Sequence, residues 1–180
     1  TIDENGIGSI PTKQLILPID SQQVIKTQTV DSANAHRIDS MMVIKLRRGM
    51  SKADLMVLEM INANKWERPI YFAVTVGENY YPAVNEYFQL EGLAYRLVPI
   101  KTEENSDRVN TEVMYDNMMN KFRWGGIEKE GVYLDETVLR MCRTQRLMFC
   151  HLIDALLKEG KEEKARKALN RCLEVIPFYN

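Results

Sequence analysis

Residues 147–177 read LMFCHLIDALLKEGKEEKARKALNRCLEVIP, and this stretch decides how the end of the chain folds. Phe149, Leu152 and Leu156 recur at three- and four-residue spacing, which puts them on one face of a helix. Gly160 interrupts the pattern with a residue that adopts a tight left-handed turn at little steric cost. Ala165, Leu169 and Cys172 then resume it, with Ala165 small where two helices must approach, and Pro177 forbids continuation. The spacing predicts two antiparallel helices, one from a cap at Asp135 or Thr137 to about Glu159, the other from about Lys161 to Val175. Between Lys158 and Arg171 basic residues alternate with Glu159, Glu162 and Glu163, a solvated face rather than a phosphate-binding stripe.

The hairpin resembles a single tetratricopeptide repeat, with small and aromatic residues at the expected offsets. One period of about 34 residues upstream lands inside the preceding helix, so no second copy precedes it. A lone repeat cannot bury its own face, so it either caps a neighbouring domain or begins an array. Upstream, Val113, Met114, Met118 and Phe122 predict a helix over Thr111–Phe122, stopped by Gly125-Gly126. The polar segment 101–108 marks a boundary, which divides the chain into an α/β domain over 1–108 and a helical region over 109–180, with the hairpin at 147–177.

Within 1–108, residues 1–13 are an irregular lead-in. Gln14–Ile19 and Val24–Val30 are expected strands around a turn at Pro18-Ile19-Asp20-Ser21, and Met41–Leu46 is another short apolar run. Ser51 with Asp54 three residues on forms a capping box for a helix carrying Leu55, Leu58 and Ile61. It ends near Trp66, because Pro69 biases Arg68 toward extended geometry. Pro69–Val76 reads as a buried strand, Tyr80–Gly92 as a helix past Pro82, and Ala94–Ile100 as a further strand. That order predicts a parallel βαβαβ sheet with covering helices.

Composition bounds the function. The chain has 180 residues, 45% apolar and 27% charged, with a net charge of −1. Near-zero charge argues against nucleic acid or an anionic membrane surface as partner, since both select a basic face. No apolar run approaches the roughly 18 residues needed to cross a bilayer, and no signal peptide opens the chain. Both ends look cut from a longer protein. Cys142, Cys150 and Cys172 have no metal-site spacing and read as buried free thiols, with a Cys150–Cys172 pairing across the hairpin as the alternative. His36 and His151 are too few for a histidine metal site. There is no Gly-x-Ser-x-Gly elbow, Walker loop or dinucleotide fingerprint, so no catalytic residue, metal or cofactor is expected.

Two groups carry the remaining chemistry. Arg68, Tyr71, Tyr80, Tyr81, Tyr87, Glu91 and Arg96 gather aromatic and charged side chains where a parallel sheet would bind a sugar or peptide. The competing reading is that they seal the seam between helix and sheet. Trp124, Tyr133 and Asp135 frame a glycine-rich segment and are expected to form a structured loop.

Several stretches resemble one family in order: WERPIYFA at 66–73, EYFQLEGLAYRL at 86–97, YDN at 115–117, KFRWG at 121–125 and GVYLDE at 131–136. They are similar to the soluble C-terminal region of a domain-of-unknown-function family of multispanning bacterial membrane proteins. The membrane part of that family is similar to C-type glycosyltransferases such as protein O-mannosyltransferases. The resemblance implies a non-catalytic accessory domain on the extracytoplasmic (periplasmic) face, tethered by a membrane region of the same polypeptide, binding acceptor protein or bracing that region. The residues alone leave open a stand-alone interaction module using the terminal helices, and a small α/β enzyme that binds a sugar or nucleotide.

Overall fold

The structure is a computed structural model that describes residues 12–46, 50–76, 84–102 and 108–176. It is mixed α/β and closes in a helical hairpin. The chain divides into two compact units, one comprising Thr1–Phe88 and Arg96–Thr102, the other Gln89–Tyr95 and Glu103–Asn180.

In the first unit, β1 (Gln14–Pro18) pairs antiparallel with β2 (Met41–Lys45), Ile16 opposite Val43. Ile19 N–H donates to Ser40 O and Leu46 N–H to Lys13 O, which sets the alternation of the ladder. Leu15 and Leu17 therefore direct their backbone groups at β2, while Gln14, Ile16 and Pro18 direct theirs away. Met42 and Ile44 are buried on the core side of β2.

The second expected strand is instead a helix, α1 (Ser21–Lys26). Asp20 decides this: its side chain accepts from the N–H groups of Gln22 and Gln23 at 3.0 and 3.2 Å, capping a helix start. Only Val24 of that segment is fully enclosed within α1, and one apolar position needs no strand to bury it. Val24 joins Val30, Val98 and Ile100 in a core against which Ile19, Ile38 and Trp66 pack.

The capping box forms as read. Ser51 accepts from Asp54 N–H at 3.2 Å while Asp54 accepts from Ser51 N–H at 2.8 Å, opening α2 (Lys52–Asn64). The helix buries Leu58 and Ile61, whereas Leu55 is 43% exposed. It ends in two successive left-handed residues that are not glycine, Lys65 at φ 45° and Trp66 at φ 62°. Such residues cost about 1–2 kcal/mol each, which the half-buried indole offsets by covering the apolar core.

Among the described residues no parallel βαβαβ sheet forms. β3 (Tyr71–Ala73), β4 (Phe88–Leu90) and β5 (Ala94–Leu97) make a separate small sheet in the order β3-β5-β4. Tyr87 O accepts from Val98 N–H, and Glu91 N–H donates to Ala94 O, the register of an antiparallel β4–β5 hairpin. Tyr71–Ala73 is an edge strand, so Pro69–Val76 is half buried rather than buried: Tyr71 is 48% exposed, while Ile70, Phe72 and Val74 are partly covered, the Phe72 ring 4.8 Å from Phe88. The helix expected over Tyr80–Gly92 falls partly outside the described residues. Its remainder is one 3-10 turn, Asn85–Tyr87, followed by β4, because Phe88 and Leu90 alternate inward with Gln89 between them.

In the second unit, Asn110 caps α3 (Thr111–Asp116), which widens into a π-helical turn over Asn117–Lys121. α4 (Glu136–Lys158) is capped by Asp135, and α5 (Glu162–Val175) returns antiparallel after Gly160 at φ 72°. Phe149, Leu152 and Leu156 are fully enclosed, facing Ala165, Ala168, Cys172 and Val175. Here Leu169 is a correction: it is 46% exposed, and Ala168 takes the inward position because the 3-4-3 spacing from Ala165 to Val175 runs through 168. Cys142 and Cys172 are buried free thiols as expected, while Cys150 is exposed. Burial pushes both buried thiols up from their ordinary value.

An ion-pair network ties α3 to the hairpin turn. Glu112 accepts from Lys161 at 2.7 Å and from Lys164 at 2.7 and 3.0 Å, while Lys161 also meets Glu159 and Thr111 donates to Glu159. The bond from Lys161, then that from Lys164, brings the Glu112 carboxyl down from 4.5 to about 2. A lowered carboxylate stabilises the fold above pH 4.5, and that contribution is lost as pH falls toward 2. Lys161, raised by Glu112 and then Glu159, stabilises below 10.5 and loses its contribution as pH rises through the raised value. Glu112→Gln should therefore match wild type near pH 2 and be less stable above 4.5. The gap is small because these side chains are solvent-screened. Thermal melts of both proteins from pH 2 to 7 check this; parallel curves would refute it.

Candidate functional site

The candidate group from Arg68 to Arg96 is placed residue by residue as follows. Arg96 and Tyr71 do come together: the guanidinium carbon lies 6.0 Å from the tyrosine ring centroid, and Arg96 donates to Gln28 O at 3.1 Å. Arg68 is an exposed residue whose carbonyl accepts from the Asn64 side chain at 2.7 Å. Tyr80 and Tyr81 lie outside the described residues. Tyr87 is only 3% exposed, and its hydroxyl accepts from Val43 N–H at 3.2 Å on the outer edge of β2. Glu91 belongs to the other unit, 6% exposed, with its carbonyl accepting from the Asn117 side chain at 2.7 Å.

Tyr87 thus serves the fold of the first unit. Tyr87→Phe keeps the ring and strands the Val43 N–H in a partly buried position, so stability should drop by about 1–2 kcal/mol. A denaturant titration with no measurable shift would show that the N–H finds water instead.

The glycine-rich segment is built around an aromatic stack. Trp124 stacks on Phe149 with centroids 5.6 Å apart and meets Phe122 edge-on at 6.2 Å. Asp135 accepts from Val138 N–H at 2.8 Å and so acts as a helix cap, while Tyr133 is 88% exposed. Gly92, at φ 133°, lies so close to Phe122 that a Cβ there would sit 2.7 Å from the ring. These contacts belong to the packing of the second unit. Among the described residues no group of three or more His, Cys, Asp or Glu side chains could hold a metal ion.

A concave feature with both apolar and polar lining lies elsewhere in the first unit. A groove of about 500 Å³ runs between the end of β1, the start of α1 and the end of α2. Leu17, Pro18, Ile19, Ile61 and Trp66 give it an apolar floor, and Asp20, Gln23, Asn62, Lys65 and Glu67 line it with polar groups. This volume is within the range of small-ligand or peptide side-chain sites. The left-handed pair Lys65-Trp66 forms one wall, which is why sequence reading missed it. Trp66 was legible only as a helix end; its turn into the groove follows from backbone torsions that non-glycine residues seldom take.

The fold is that of a small mixed α/β chain closing in a helical hairpin. Comparison with known families places it: the chain belongs to the family described as TMEM260-associated domain 2, which it matches over residues 2–113. No curated protein and no solved structure matches the chain. No described helix is long and apolar enough to cross a membrane.

Proposed function

We propose that this chain is a non-catalytic accessory domain of a membrane glycosyltransferase-like protein, which binds acceptor protein or braces the membrane part. The observation that carries the reading is the family match over residues 2–113, to a family named for its association with TMEM260. The proposal sets the domain on the extracytoplasmic face, joined to the membrane region of its own polypeptide. Chemistry is assigned to that region. Deleting this domain from the full-length protein tests the idea. Transfer to acceptor should fall while the membrane part still inserts; undiminished transfer, or transfer by the isolated domain, would sink it.

A second reading, an interaction module using the tetratricopeptide-like helices, is favoured by one observation. Leu169 and Leu173, one helical turn apart on α5, are each close to half exposed.

A further inference from the structure

We propose that the groove beside β1 binds a short extended peptide, one residue of which pairs with the backbone of Ile16 while an apolar neighbour seats against Leu17, Ile61 and Trp66. The inference rests on the acceptor-binding half of the proposed function and gives it a place and a chemistry.

The ladder supplies the first argument. Ile16 faces away from β2, and its N–H and C=O have no hydrogen-bond partner among the described residues. The two neighbouring positions on that edge are closed to pairing in different ways. Gln14 N–H donates to the Thr12 hydroxyl, which in turn donates to Gln14 O, and Pro18 has no N–H to offer. One residue with both groups open, between a self-satisfied one and a proline, accepts a single bidentate backbone pair. Unlimited strand addition is thereby discouraged. An extended polypeptide is the ligand whose own N–H and C=O match that spacing.

The groove supplies the second. It is lined by the residues that follow Ile16, from Leu17 to Asp20, so a peptide paired at Ile16 and extended along β1 would run toward it. Its floor is apolar and includes an indole, which suits an aliphatic or aromatic side chain. Its polar lining carries the carboxylates of Asp20 and Glu67 against the single ammonium of Lys65, which favours a basic residue next to the apolar one. The wall is pre-formed: Asp20 is held by its two cap bonds and Trp66 by the core, so little order is lost on binding.

The test pans a random-sequence peptide library against the intact chain, then measures the selected peptide by titration. The expected consensus pairs an apolar with a basic residue. Asn62 is exposed on α2 at the groove, so Asn62→Arg should fill the groove without unfolding the protein. It should weaken binding about tenfold or more, as should Ile16→Pro, which removes the edge N–H. Methylating the peptide's backbone nitrogens one at a time leaves the protein unaltered. One position should abolish binding and the others should not. No enriched peptide, indifference to Asn62→Arg, or a flat methylation scan would each overturn the proposal. These measurements use this chain alone, whereas the accessory role is judged by deletion in the full-length protein, so either can fail while the other stands.

Discussion

Gly92→Ala should destabilise the second unit by about 2–3 kcal/mol, from two separable causes. One is the backbone: φ 133° is a conformation that side-chain-bearing residues rarely adopt. The other is the Phe122 ring, whose nearest atom would lie 2.7 Å from the new Cβ. The ring is partly confined, because it meets Trp124 edge-on and the Phe122 backbone N–H donates to Asn117 O at 2.8 Å. In a Phe122→Ala background the steric part disappears, and the same glycine substitution should then cost about 1 kcal/mol. Denaturant unfolding of the four proteins of this cycle measures both parts. A Gly92→Ala change that leaves the midpoint unmoved would show that the β4–β5 turn relaxes freely.

Phe149→Ala should cost more, about 3–5 kcal/mol. Phe149 is wholly enclosed on α4 and stacks on Trp124, so its removal leaves a cavity and an unsupported indole. The Trp124 emission should shift to the red as water reaches the ring, readable after Trp66 is replaced by phenylalanine. Phe149→Leu retains most of the volume and should recover over half of the loss. A loss below about 1.5 kcal/mol for Phe149→Ala would mean that the two helices collapse onto the gap.

The elements legible from sequence share a physical trait: their determinants lie close together along the chain. Ser51 and Asp54 bond each other across one helical turn. Asp135 reaches Val138, three residues on, and Gly160 turns α4 into α5 locally. Phe149, Leu152 and Leu156 declare their face by spacing alone.

Where reading failed, a distant partner or a single side-chain bond outweighed local propensity. Val24–Val30 has strand-forming residues, yet the Asp20 cap made its first half helical. Leu169 is the larger apolar residue, but the 3-4-3 spacing of Ala165, Ala168, Cys172 and Val175 turns Ala168 rather than Leu169 inward. Tyr87 belongs to a plausible binding group by composition, and only the folded chain shows its hydroxyl committed to Val43, 44 residues earlier. The candidate site divides in the same way. Tyr71 and Arg96 were found by residue type and do meet. The groove could not be, since it joins residues 17–23 to residues 61–67 through left-handed torsions at Lys65 and Trp66.

Sequence by itself thus determined the α/β class, the capped helix α2, the helical hairpin and the absence of a recognisable catalytic motif, all of which follow from periodicity and neighbouring side chains. Tertiary structure alone decided the division into two small sheets, the open edge at Ile16 and the shape of the groove. Strand pairing and backbone strain depend on contacts between residues far apart in the chain, whose energies no local window of sequence contains.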